Sequence, residues 1–308
     1  MTPAPSLILF TVLSGLGLGM IAWLGFGLGP DGPFAIAAPL AALVLTGAGG
    51  LASTAHLARP DRAWRAFSQW RSSWLSREAC LLVATVAVFL AYAGLWAMAG
   101  MRVTPLGWLA AGLALATVHA TAMIYAQLRT VPRWSVPPTP ALFVVLALAG
   151  GLLAHQSVAV LAGGGTALWL ALPVLALAAG IAVWWQTSAA GARMWVEGTT
   201  LTTATGLGAR GRVRAFEPPH TGPNYLLEEM AFRVGRRRAF ELRRLAALLG
   251  FALPLLLAAL GTVLGGWLAL PALLSHALGV AALRWLFFAE AEHVQALYYG
   301  TRGEADAA

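Results

Sequence analysis

Apolar residues run through this chain in long blocks, and polar residues are confined to the segments between them. Eight blocks have the roughly 20-residue length that a helix needs to cross the hydrocarbon core of a bilayer. They predict helices at Ser6 to Leu28, Ala35 to Leu57, Ala79 to Gly100, Gly107 to Leu128, Ala141 to Ala162, Thr166 to Thr187, Leu245 to Gly266, and Leu270 to Glu290. Met1 to Pro5 contains no Lys or Arg, so the first block lacks the charged start of a signal peptide. It is also too long for a signal's apolar core and reads as a true span.

Composition supports the pattern. The 308 residues are 59% hydrophobic and 10% charged, whereas soluble domains are about one-quarter charged. Water is not the main solvent, and the expected fold is an all-α integral membrane protein, a single eight-helix anchor domain over residues 1–308. All 20 basic residues are Arg, and the sequence pI is near 10.9. Such a pI could suggest nucleic acid, but the arginines sit in loops between spans, where basic residues orient membrane proteins. No nucleic-acid partner is expected.

With eight spans, both termini and the second, fourth and sixth loops share one side. The second loop holds Arg59, Arg62, Arg65, Arg71 and Arg77; the fourth holds Arg129 and Arg133; the sixth holds ten more, and Arg302 is in the C-terminal tail. Only Arg102 lies opposite, and Arg284 is inside the last span. The positive-inside rule then places the arginine-rich side, with both termini, in the cytoplasm. Docking of an acidic partner is the competing explanation of the same charge.

The far-side loops, such as Gly163 to Gly165, are short enough to require antiparallel hairpins. Most non-membrane mass lies in a sixth loop over 188–244, with an expected surface helix from Asn224 to Arg244. Leu226, Leu227, Met230 and Val234 would form its apolar edge, with Arg233 and Arg236 reaching toward lipid head groups. Gly15, Gly19, Gly25 and Gly29 on the first span permit close helix packing.

Chemistry is sparse. Cys80 is the only cysteine, so the chain itself cannot ligate an iron-sulfur cluster, which typically takes four. Of the six histidines, only His155 and His276 match in depth, roughly 10 Å from the far side. A haem between them is one alternative; hydrogen bonding to neighbouring helices is the other.

The segment from His56 to Glu78 places an imidazole and a carboxyl at opposite ends of one Trp- and Arg-rich loop at a membrane boundary. Oxidation of a quinol releases two protons with two electrons, and such groups beside an apolar pocket would handle them. Trp64, Trp70 and Trp74 would help wall it. The alternative is that Ser76 caps the third helix and Glu78 complements its dipole. Glu290 and His293, one turn apart at the end of the last span, are further proton-handling candidates or else a solvated helix end. Arg284 is expected to pair with a carboxylate such as Glu292.

The segments His56-Leu-x-Arg-Pro-x-Arg-Ala, Leu75-Ser-Arg-Glu78, and Thr130-Val-Pro-Arg-Trp134 followed by Thr139-Pro-Ala give the chain, over nearly its whole length, a pattern that resembles the membrane-anchor subunits of the DMSO reductase family of molybdenum enzymes. The resemblance implies an anchor that tethers a molybdopterin catalytic subunit and an iron-sulfur subunit. It would exchange electrons with menaquinone or ubiquinone, without haem, in a bacterial inner membrane. It also implies that the family's quinol-site His and Glu fall on His56 and Glu78; Arg59, Arg77, Trp74 and Tyr125 are added for their position at the same membrane edge. In the enteric DMSO reductase anchor those two residues face the periplasm, whereas the arginine count here places them in the cytoplasm. The long sixth loop, with Thr203-Ala-Thr-Gly-Leu-Gly and Pro219 to Met230, looks like the branch that includes anchors of cytoplasmic sulfite dehydrogenases, which reduce quinone. A haem b anchor and a transporter with helices broken at Pro173 and Pro254 are the rival functions.

Overall fold

The computed structural model describes residues 4–55, 59–192, 201–211, 213–214, 216 and 239–294. All regular structure among them is helical, and eight helices are long and apolar enough to span a membrane. These are α1 (Pro5–Gly25), α2 (Phe34–Thr54), α3 (Trp74–Ala99), α4 (Thr104–Ala126), α5 (Thr139–Leu161), α6 (Ala171–Gly191), α7 (Ala239–Leu264) and α8 (Ala269–Ala289). His56, Arg302 and most of the 188–244 loop, including Leu226, Leu227, Met230, Arg233, Val234 and Arg236, lie outside the described residues.

Two boundaries move outward from the sequence reading. Helix α3 starts at Trp74 rather than Ala79, because Arg77 turns back to donate to the carbonyls of Trp70 and Arg71, at 3.0 and 2.7 Å. Ser73, not Ser76, is the N-cap residue, and its side chain makes no capping bond. Helix α7 starts at Ala239, so Ala239 to Arg244 belong to the seventh span rather than to the end of a surface helix.

Helices α1 and α5 form the centre. Helix α1 packs against α2, α4, α5 and α8, while α5 also packs against α6 and α8. Small residues make these approaches possible, since without a Cβ two backbones can nearly touch. A Cβ on Gly19 would stand 1.8 Å from the Ala147 carbonyl oxygen of α5, and one on Gly25 would stand 2.4 Å from the Gly107 oxygen of α4. Gly15 is different, having only the Ala147 Cβ near it, at 3.9 Å, and Gly29 lies in the loop beyond α1 against Phe34. Gly17, not among those four glycines, supplies the contact with Thr46 and Ala42 of α2.

Several aromatic residues of the bundle have bonded polar tips, as a membrane interior favours. Trp23 donates to the Leu148 carbonyl at 2.8 Å, Tyr92 to the Leu24 carbonyl at 3.0 Å, and Trp134 to the Phe287 carbonyl at 2.8 Å. At the arginine-poor end, Asp31 accepts from Trp96 at 2.7 Å and from Arg102 at 2.6 Å, while Arg102 also reaches the Gly27 and Gly29 carbonyls. The Trp96 indole and the Arg102 guanidinium hold the Asp31 carboxyl below its ordinary range. The one arginine on that side is thereby engaged in fastening the α1–α2 turn to α3.

Both prolines invoked for broken helices behave otherwise. Pro173 lies in the first turn of α6, where its missing N–H costs no helical bond. Pro254 sits mid-span in α7 and is absorbed by a π-turn over Leu248–Ala252, so the helix continues. Pro254 cannot donate to Leu249 or Gly250, and α8 supplies the missing hydrogens. Ser275 Oγ donates to the Leu249 carbonyl at 2.8 Å, and His276 Nδ1 lies 2.7 Å from the Gly250 carbonyl.

Candidate functional site

Glu78 is one of two buried carboxyls among the described residues, Glu290 being the other. Glu78 sits one turn into α3, is only 8% exposed, and accepts a hydrogen bond from the Thr121 hydroxyl of α4. The α3–α4 seam is polar below this point as well, with Thr85 and Thr117 hydroxyls 3.0 Å apart. Nothing in the sequence marked Thr121, because a threonine in a span usually bonds to its own helix. It does so here too, to the Thr117 carbonyl at 3.1 Å.

One turn beyond Thr121, Tyr125 is buried against Trp134, Phe143, Phe287 and Phe288, with ring centroids 5.3 to 5.8 Å apart. The Arg284 guanidinium lies over the Phe143 ring, 3.4 Å from its centroid. The expected pair with Glu292 does not form. Arg284 is buried, and its Nε and Nη1 have no hydrogen-bond partner among the described residues. Glu78, Thr121, Tyr125, Phe143 and Arg284 thus form one cluster joining α3, α4, α5 and α8.

The outward side of the same seam carries a residue that the sequence reading passed over. His119 is exposed on α4, with its ring edge-to-face with Trp74 at 6.1 Å, and Arg77 covers Trp74 at 4.4 Å. An imidazole facing hydrocarbon is costly and rare outside functional sites. Trp64 and Trp70 are exposed on the segment containing the 3-10 helix Pro60–Phe67, beneath Arg65 and Arg71, and do not converge on Glu78. Arg59 is held by Asp61 through two bonds of 3.0 and 2.9 Å, which keep the Asp61 carboxyl below its ordinary range.

The remaining candidates sit elsewhere. Glu290 accepts from Arg133 at 2.7 Å and from Arg243, tying the fourth loop and the start of α7 to the end of α8. A carboxylate between two guanidiniums fits a structural clamp better than a proton carrier. His293 lies just past α8, and burial holds its imidazole below the ordinary value.

His155 and His276 do not face one another. His155 packs edge-on against Phe34 of α2, with centroids 4.9 Å apart, and His276 is fastened to the π-turn of α7 and lies against Gly150. No cluster of three or more metal-binding side chains occurs among the described residues.

An eight-span helical protein with a buried carboxyl and an exposed imidazole near one end is a membrane subunit in character. The sequence model of the DMSO reductase anchor subunit family (DmsC) matches residues 2–205, and the chain belongs to that family. It is 32% identical to a sulfite dehydrogenase subunit from Allochromatium vinosum over 97% of this chain and 99% of that protein. It is also 35% identical to the anaerobic dimethyl sulfoxide reductase chain YnfH of Escherichia coli, over 36% of this chain and 40% of that protein. It is therefore a membrane-anchor subunit of the type found in multi-subunit oxidoreductase complexes.

Proposed function

We propose that this chain is the quinone-reactive anchor of a molybdopterin oxidoreductase in a bacterial inner membrane, passing electrons between the quinone pool and the iron-sulfur subunit of its complex. The observation that carries the reading is the Glu78 carboxyl, buried in a span yet within a turn or so of the membrane edge and held by Thr121. The residues around it fit a quinone: a carboxyl inside, and an imidazole and an indole on the lipid-facing side from which an apolar carrier arrives.

A bound quinone supplies two-electron, two-proton redox chemistry. The chain's own part is to position the ring and move protons. His119 and Trp74 offer a hydrogen-bonding and a stacking surface at the lip, and Glu78 exchanges a proton with the nearer ring oxygen. Tyr125 and its aromatic neighbours pack the seam one turn beyond Thr121. His56, expected from the family pattern at the other ring oxygen, is retained in the proposal on its sequence position alone.

Sulfite oxidation, with electrons flowing into quinone, is the favoured direction, because the relative matched end to end is named as part of a sulfite dehydrogenase. Reduction of an S-oxide would use the same groups in reverse. The arginine-rich end is assigned to the cytoplasm by the positive-inside rule. The test is Glu78→Gln in the intact membrane complex: quinone-linked turnover should fall by about 10²-fold or more, while the soluble subunits keep their activity with an artificial dye. Unchanged quinone turnover would remove Glu78 from the mechanism.

A further inference from the structure

Behind Glu78 the bundle leaves a small, partly open cavity between α1, α4, α5 and α8, its lining mostly apolar with a patch of polar groups. Thr11, Ser14, Thr121, Phe143, His276 and Arg284 contribute to its walls. Its volume of about 20 Å³ suits a water molecule or two and is far too small for a quinone ring. Apolar voids of this kind stay dry, whereas polar ones bind water where several hydrogen-bonding groups converge.

Those groups are present and have opposite character. The Gly250 carbonyl can only accept, so His276 must carry its hydrogen on Nδ1 to meet it. Nε2 then carries the lone pair; it is buried and makes no hydrogen bond among the described residues, although the Leu146 carbonyl of α5 also lies beside the imidazole. Arg284 brings Nε and Nη1 as donors, equally buried and without partners among the described residues. Thr121, which lines the cavity from α4, is the residue that bonds Glu78. Donors, an acceptor and a link to a titratable carboxyl therefore surround one space.

We propose that this cavity binds water as an internal proton carrier, with Arg284 donating to it, His276 Nε2 accepting from it, and Thr121 connecting it to Glu78. The proposal rests on the reading of Glu78 as the quinone site's proton acceptor. Two protons accompany the two electrons of quinone chemistry, and one carboxyl holds only one of them. In the oxidising direction, the O–H bond of the Glu78 acid breaks as its proton passes through the Thr121 hydroxyl to the bound water. An N–H bond forms at His276 Nε2, and the freed carboxylate takes the second proton. No electrons move in this step, and it runs backward when quinone is reduced. Arg284 and His276 are positioning and proton-holding residues that do not touch the quinone.

The experiment uses the whole membrane complex and redox-triggered infrared difference spectroscopy in H₂¹⁶O and H₂¹⁸O. Gly15 lines the cavity, with only the Ala147 Cβ near its own missing Cβ, so Gly15→Val fills the space from α1. His276→Phe removes the acceptor from α8, and His276→Gln restores an acceptor oxygen. Wild type should show an isotope-sensitive bound-water band. That band should vanish in Gly15→Val, and the second proton step should slow at least tenfold in Gly15→Val and His276→Phe, with partial recovery in His276→Gln. Should one variant fail to assemble, the other decides.

A water band and proton kinetics unchanged in the assembled variants, while Glu78→Gln abolishes quinone turnover, would overturn this inference and leave the quinone site standing. Glu78→Gln with normal turnover would overturn the parent reading instead.

Discussion

Replacing Gly19 by alanine tests the central packing of the bundle with a single methyl group. The new Cβ would lie 1.8 Å from the Ala147 carbonyl oxygen and 2.5 Å from its carbon, whereas a carbon rests no closer than about 3.3 Å to a carbonyl oxygen. The obstacle is backbone, so no side chain can rotate away, and α1 and α5 must separate by about 1.5 Å locally. A gap of half to one ångström already forfeits a quarter to a half of each dispersion contact. The seam includes Met20, Leu152 and Leu153, all fully buried. We expect a loss of about 3 kcal/mol, the upper end of the usual cost of overpacking, and a fall in thermal midpoint of about 5 °C.

Gly112, on α4, is the control. A Cβ there meets nothing within 4 Å, so Gly112→Ala should be neutral or gain up to about 1 kcal/mol of helix propensity. The two variants would be compared in one detergent by tryptophan fluorescence during heating. Equal midpoints would show that α1 and α5 do not approach as closely as described, and the account of the bundle's centre would be wrong.

Other expectations are simpler. Glu290→Gln leaves Arg133 and Arg243 without their shared countercharge and should cost about 3 kcal/mol in thermal unfolding, whereas Asp61→Asn, in an exposed and solvent-screened pair, should leave the midpoint nearly unchanged. Because Asp31 titrates below its unfolded value, its contribution is present above the ordinary carboxylate range and is lost as pH falls through its folded value. Asp31→Asn should therefore flatten the loss of stability in acid below the ordinary carboxylate range, and an unchanged acid limb would count against the latch. His119→Leu should raise the KM for quinone more than it lowers kcat, since its proposed role is docking; equal effects on both would argue against that role.

The number and order of the spans were legible because a bilayer demands long apolar runs, and such runs survive without any knowledge of partners. Their ends were less so. Arg77 and Glu78 look like loop residues by charge, yet each finds its partner within the fold, Arg77 in the preceding carbonyls and Glu78 in Thr121. The candidate carboxyl was legible from its place at a span's edge, but Thr121 was not, because its pairing depends on how α3 faces α4. Arg284 shows the same limit. Its in-chain neighbour Glu292 was the obvious partner, while the ring that it covers, Phe143, comes from α5 and becomes adjacent only in the assembled bundle.

The π-turn of α7 has an evolutionary corollary. Pro254 withholds a hydrogen, and Ser275 and His276 provide the replacements, so the three positions form one heritable unit. A lineage that restores an ordinary residue at 254 relaxes selection on the other two, and one that loses His276 is left with a stranded carbonyl in oil. Among relatives these sites should drift together, even though they lie on different helices.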